Sequence, residues 1–225
     1  MRRDEIRGRF KDAPWYDNLS ANCIVGGAGG IGSWLSFLLA RAGFTPILYD
    51  YDEIELHNMG GQLFGTKDIG KCKTEAMEEF IKEYADIEIS TFEGKYDEES
   101  MTGLYVFSAF DNMKARKDMF ENWYEANKEN PYAVFIDGRL LFEQLTIFCV
   151  TPDKADKYRE HLFDDSEIEA ENCTMKQTSH SASLIASLMV GFFTNHVTNA
   201  KSDGNPRHVP FRYEYFIPLN MADYE

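Results

Sequence analysis

The stretch Asn22-Cys23-Ile24-Val25-Gly26-Gly27-Ala28-Gly29-Gly30-Ile31-Gly32 opens the decisive part of this chain. It continues through Ser33-Trp34-Leu35-Ser36-Phe37-Leu38-Leu39-Ala40-Arg41-Ala42-Gly43-Phe44 and closes with Thr45-Pro46-Ile47-Leu48-Tyr49-Asp50-Tyr51-Asp52. Residues 23–25 are a short apolar run ending in glycine, which predicts a buried strand. Gly27, Gly29 and Gly32 fall at G-x-G-x-x-G spacing, with Gly30 doubling the middle glycine. Leu35, Leu38, Leu39 and Ala42 recur at i, i+3, i+4 and i+7, the pattern of a helix with one buried face. Gly43 stands where glycine ends a helix. A second strand starts at Pro46 and is closed by Asp50, roughly 20 residues past the glycines. Strand, turn, helix, strand and acid in that order make a cradle for a nucleotide. Glycines let the backbone approach a phosphate, and the first helical amides lack intrahelical partners and hold anionic oxygens. A carboxylate at the tip of the second strand accepts hydrogen bonds from ribose. The bland alternative is a glycine turn that only permits close helix–strand packing.

Composition bounds the rest. The 225 residues are enough for one large domain, and 44% hydrophobic content supplies a core. A net charge of −15 and a sequence pI near 4.8 argue against nonspecific binding to nucleic acid or to an anionic membrane. Basic proteins and small molecules remain as partners. No run of about 18 apolar residues occurs, so no membrane span is expected. Met1-Arg2-Arg3-Asp4-Glu5 lacks the apolar centre of a signal peptide. Cys23, Cys72, Cys149 and Cys173 are far apart and form no C-x-x-C pair. No zinc is expected, and a reducing, cytoplasmic setting is.

Residues 1–20 read as an arm. They carry Arg2, Arg3, Arg7 and Arg9, then Pro14-Trp15-Tyr16, and lie on the domain or a partner subunit, or form a solvated basic tail. Residues 21–225 read as a single domain. Asn58 and Gly60-Gly61 mark a loop. A helix is expected from Asp68 to about Tyr84, a strand over 87–92, an apolar strand over 104–110 and a helix over 112–127. Residues 133–136 form a strand ending in Asp137-Gly138-Arg139. Residues 144–150 form a strand with no helix before it, hence antiparallel to its neighbour. Residues 151–179 read as an acidic crossover loop carrying Cys173. A small-residue, leucine-rich helix is expected over 181–196 and a last strand over 212–217. The fold class is α/β, Rossmann-like: a mostly parallel sheet with helices on both faces and antiparallel strands toward the C-terminus.

Past the cradle, a string of short motifs resembles the ThiF/MoeB/HesA family, the adenylation fold of ubiquitin-activating enzymes. It runs Asp50-x-Asp52, Asn58-x-x-x-Gln62, Gly70-x-x-Lys73 and Asp111-Asn112-x-x-x-Arg116, behind the loop Gly27-x-Gly29-Gly30-x-Gly32. The likeness covers residues 22–150 well and 173–196 loosely. It implies an ATP-dependent adenylyltransferase acting as a homodimer on a small ubiquitin-like or sulfur-carrier protein. In that chemistry a C-terminal carboxylate attacks the α-phosphate of ATP, pyrophosphate leaves and an acyl-adenylate results. Two anions must meet, so catalysis is positioning and charge neutralisation. The resemblance implies that Asp50 binds ribose, with Asp52 beside it, and that Lys73 neutralises phosphate charge. It implies that Asp111 holds Mg²⁺ beside the phosphates, and that Asn58 and Gln62 sit near the triphosphate.

Each of these has a bland alternative. Lys73 is a solvated helix-start lysine, Asp111 a helix cap, Asn58 a left-handed turn residue, Arg116 a surface ion pair. The sequence also departs from the family. Gly61 stands where an arginine is usual, and Arg7 or Arg9 from the arm, donated across a dimer, or Arg139 after its strand end, could supply that charge. Cys173 falls about where the family places its thiol nucleophile. There it would take the acyl group as a thioester or form a persulfide; the alternative is an inert cysteine. Cys72, beside Lys73, is a weaker candidate. Two other classes stay open: a non-catalytic scaffold subunit with the same fold, which Gly61 favours, and an NAD-dependent oxidoreductase, which the Lys73 and Asp111 motifs disfavour.

Overall fold

In the computed structural model, residues 8–16, 21–163, 178–201 and 204–225 are described. Eight strands form one sheet in the order β3-β2-β1-β4-β5-β6-β7-β8. They are β1 Asn22–Gly26, β2 Thr45–Asp50, β3 Ser90–Glu93, β4 Tyr105–Ser108, β5 Val134–Leu141, β6 Gln144–Val150, β7 Arg212–Phe216 and β8 Met221–Tyr224. The first five pair in parallel, and β5 through β8 pair antiparallel. The helices are α1 Gly30–Arg41, α2 Lys73–Ala85, α3 Met113–Asn127, the short α4 Ala155–Arg159 and α5 Ser179–Asn199. The Rossmann-like reading with antiparallel C-terminal strands is therefore the observed architecture.

Alternation along each parallel strand sends side chains to two separate cores. Cys23 and Val25 of β1, Phe107 of β4 and Val134 and Ile136 of β5 meet α1, α2 and α5 on one face. Ile24, Val106 and Phe135 meet α3 and α4 on the other. On the first face Phe193 of α5 packs its ring against Phe44, Tyr105 and Phe107, with centroids 4.8–5.1 Å away. On the second, Phe120 and Trp123 of α3 pack with Phe135, and Phe120 also meets Tyr158 of α4. Each such fully buried side chain contributes about 1.5–3 kcal/mol. Trp15 of the arm packs against the first core, which places this part of the arm on the domain.

Four expectations shift. The helix expected from Asp68 starts at Lys73, because Thr66–Asp68 closes a 3₁₀ turn instead and Gly70 adopts φ +86°. β5 runs on to Leu141, pulled into a hairpin by β6, so Arg139 lies inside the strand and not after it. Part of the stretch read as an acidic loop is structured: Pro152–Lys154 is a 3₁₀ turn and α4 follows it, seated by buried Ala155 and Tyr158. β8 was not anticipated; its residues are all exposed and show no apolar alternation. Among the described residues no helix is long and apolar enough to cross a membrane.

Candidate nucleotide site

The connection from β1 to β2 passes through α1 on one face, and that from β4 to β5 passes through α3 on the other. The neighbours β1 and β4 thus feed in opposite directions, and a crevice opens beyond their carboxyl ends. The cleft there has a volume of about 780 Å³.

The glycine loop forms its floor. Gly27 has φ +92°, and a Cβ added to it would lie 2.9 Å from the Ala109 carbonyl oxygen. A Cβ on Gly32 would lie 1.7 Å from the Gly27 oxygen, so α1 can rest on its own loop only without one. Gly29 is different: nothing lies within 4 Å of its missing Cβ, because it faces the open cleft. Ser33 N–H makes the first helical bond, to the Gly29 oxygen at 3.0 Å, and Gly29 offers no side-chain cap. The amides of Gly30, Ile31 and Gly32 thus lack i−4 helical partners at the positive end of the α1 dipole.

Asp50 ends β2 beside this loop. Its carboxylate accepts hydrogen bonds from Ala28 N–H at 2.6 Å and Asp52 N–H at 2.8 Å. Burial pushes its carboxyl above the usual range, opposed by Lys73 and by those two amides. Lys73 opens α2 and is buried; its Nζ donates to Asp52 Oδ2 at 2.6 Å and lies 4.0 Å from Asp50 Oδ1. The solvated-lysine alternative is excluded by that burial. Two carboxylates therefore hold one ammonium at the mouth of the glycine loop.

The loop after β2 supplies one wall. Asn58 belongs to the 3₁₀ turn Leu56–Gly60 and is not left-handed; its Oδ1 accepts from Glu55 N–H at 2.8 Å. Gly61 lines the cleft with no side chain, and its carbonyl accepts from the Trp34 indole at 3.2 Å. Ser33 Oγ accepts from Leu63 N–H at 3.0 Å, so α1 holds this loop at two points. Gln62 also lines the cleft, and its Oε1 is buried without a hydrogen-bond partner. An orphaned acceptor is costly, and a ligand donor would relieve it.

Asp111, exposed after β4, faces the cleft from the other side. It does not cap α3; Asn112 does, its Oδ1 accepting from Ala115 N–H at 2.8 Å. Arg116 is not on the surface. It is buried and bonds to Asp137, to the Gly138 carbonyl at 3.0 Å and to the Phe110 carbonyl. Asp137 also takes Arg139 Nε at 2.7 Å and Tyr158 OH at 2.9 Å. Burial would raise the Asp137 carboxyl, but the two guanidiniums hold it below its ordinary value. Arg139 lies over the Phe148 ring at 4.7 Å and lines the cleft. Sequence reasoning missed this network, although Asp137 and Arg139, two apart in one strand, had to share a face.

The thiols separate clearly. Burial drives Cys149 up to about 12 and Cys23 well above its ordinary value, so both are core residues. Cys72 precedes α2 and is raised chiefly by a hydrogen bond with Glu93, the wrong direction for a nucleophile. Cys173 lies outside the described residues, and so do Arg7 and the side chain of Arg9, whose backbone belongs to the 3₁₀ turn Gly8–Phe10. No cluster of three metal-ligating side chains occurs among the described residues. A Mg²⁺ carried by a triphosphate needs only one or two protein carboxylates, and a lone Asp111 at the mouth fits that requirement.

Fold and cleft together define an α/β protein of the Rossmann-like class, with its cleft at the carboxyl ends of the parallel strands. The chain belongs to the ThiF family, whose model matches residues 9–216. It is similar to the ubiquitin-like modifier-activating enzyme 5 of Culex quinquefasciatus, 28% identical over 166 residues, covering 61% of this chain and 42% of that protein. It is similar to the adenylyltransferase and sulfurtransferase MOCS3 of Anopheles gambiae, 34% identical over 104 residues, covering 43% and 24%. The chain thus spans less than half of either relative. Among solved structures, E. coli MccB with ATP superposes with a TM-score of 0.71 at 20% identity, over 93% of this chain and 64% of that one.

Proposed function

We propose that this chain is an ATP-dependent adenylyltransferase that activates the C-terminal carboxylate of a small protein or peptide. The observation that carries this reading is the Lys73 ammonium held between Asp50 and Asp52, beside the uncapped start of α1, with Asp111 lining the same cleft. ATP binding is supported by the free first-turn amides, the orphaned Gln62 acceptor and the relatives' printed activities.

In this reading Asp50 accepts from the ribose hydroxyls, and its two backbone donors keep it oriented while Lys73 favours its charged form. The amides of residues 30–32 receive phosphate oxygens. Lys73 offers charge to the phosphates from a site where burial strengthens it. Asp111 would hold Mg²⁺, which when bound supplies charge neutralisation across the phosphates. The substrate carboxylate oxygen bonds to the α-phosphorus as the α–β anhydride breaks, and pyrophosphate leaves with that electron pair. Onward transfer would let the Cys173 thiolate attack the acyl carbon and release AMP. The ubiquitin-like or sulfur-carrier identity of the substrate, a homodimer in which Arg9 reaches a neighbouring cleft, and a cytoplasmic setting belong to the same proposal.

The test is ATP–pyrophosphate exchange with candidate carboxylate tails. Exchange that depends on the tail and is lost in Asp111→Ala is the expected result. A second reading, a non-catalytic subunit with the same fold, is favoured by Gly61, which brings no cation to the cleft. Tight ATP binding without exchange on any tail would establish that reading and remove the first.

A further inference from the structure

Sheet order lays the cleft out in a line. Gly94 follows β3, Asp50 ends β2 and Asp52 follows it, the glycine loop follows β1, Asp111 follows β4, and Arg139 through Phe142 belong to β5 and its hairpin. Neighbouring strands are ~4.8 Å apart, so the β2 and β5 ends of the cleft are roughly 14 Å apart. If the adenylating reading holds, the nucleoside occupies the β2 end, the phosphates lie over β1 and β4, and the incoming tail enters from β5.

That end has a different character. The pairing of β4 with β5 stops at Ser108 and Asp137, while β5 continues to Leu141. The hairpin therefore stands above the strand ends as a wall. Leu141 and Phe163 both line the cleft and are 50% and 41% exposed. Phe142, at the hairpin tip, has φ +58° and lines the cleft as well. Left-handed backbone disfavours a bulky side chain, and a hairpin tip takes glycine or asparagine there freely. Phe142 thus holds an aromatic ring at a strained tip, beside two exposed apolar neighbours in the same cleft.

The geometry points to an apolar tail subsite, in which Phe142, Leu141 and Phe163 receive a bulky apolar or aromatic side chain at the substrate's C-terminal residue. This deepens the adenylating reading, rests on it for the order of the ligands, and takes as substrate a peptide ending in a bulky residue instead of a ubiquitin-like tail ending in glycine. A tail ending in glycine would leave this apolar wall in contact with water.

The probes are two peptides identical except for a final phenylalanine or glycine, titrated calorimetrically into the full chain. The phenylalanine peptide binds about tenfold tighter or more, and Phe142→Gly brings the ratio of affinities close to one. Phe142→Tyr, which keeps both the ring and the strained backbone, retains the preference. The melting temperature of Phe142→Gly shows whether that variant is folded, and relief of strain at the tip opposes the loss of apolar contact. Equal affinities in the wild-type chain, no binding of either peptide, or a preference that survives in folded Phe142→Gly overturns the subsite. Exchange measured in parallel separates the two proposals. A peptide preference without exchange removes the adenylating reading alone, and exchange without a preference removes the subsite alone.

Discussion

Lys73 is the residue on which the site's electrostatics turn. Its ammonium is buried against Asp50 and bonds the exposed Asp52, and Asp50 sits with its carboxyl raised by burial and restrained by that ammonium. Lys73→Ala should cut pyrophosphate exchange by about 10²-fold or more, the scale for loss of a pre-oriented charge. It should also move the acid limit of ATP binding. Without Lys73 the Asp50 carboxyl rises further, so the charged ribose acceptor is lost at a higher pH than in the wild type. A binding titration against pH reads this directly; an unmoved acid limb would detach Asp50 from Lys73. The sequence named both residues, Asp50 by its offset from the glycines and Lys73 through the family resemblance. It did not reveal that Lys73 bonds Asp52 and only approaches Asp50, since that choice depends on how α2 packs against β2.

The elements around the cleft fit with little tolerance. Gly32→Ala would force a Cβ against the Gly27 carbonyl and lift α1 from its loop. Overpacking of this kind costs about 1–3 kcal/mol or more, so the melting temperature should fall by at least about 3 °C; an unchanged value would mean that α1 re-seats freely. Asp137 joins β5 to α3 and α4 through Arg116 and Tyr158. Asp137→Asn leaves two guanidiniums short of their anion and should destabilise the chain by about 3–5 kcal/mol at neutral pH. The sign with pH follows from a carboxyl held below its ordinary 3.8. Its stabilisation is complete above that value and fades as pH falls through the lower, folded one. The deficit of Asp137→Asn in denaturant melts should therefore shrink as the pH is taken below 3.8, and a constant deficit would point to packing. From sequence, Arg116 was open between site and surface, because helical periodicity says which face a residue takes and not whether an anion waits there.

Across the entire chain the surplus of acid acts as self-repulsion. With a net charge of −15, the compact state should gain from screening. The melting temperature should rise between about 20 mM and 300 mM NaCl, the range over which screening lengths contract to below about 10 Å. A flat or falling response would mean that local pairs such as Arg159 with Glu121 already balance the surface. The buried Asp137 cluster is excluded from water and should contribute little to this trend.

The order of strand, glycine turn, helix, strand and acid was legible along the chain because those signals are local: periodicity, backbone freedom and a carboxylate at a fixed offset. So were the parallel half of the sheet and the antiparallel turn at β6. What the chain could not announce was long-range. Arg116, Asp137, Arg139 and Tyr158 come from three separate segments, α3, β5 and α4, and meet only when α3 and α4 close on one face of the sheet. The left-handed Phe142 is set by the register of β5 on β6, and the lone acceptor of Gln62 by the loop that α1 pins in place. Contacts of that kind depend on packing between distant elements, and no local pattern encodes them.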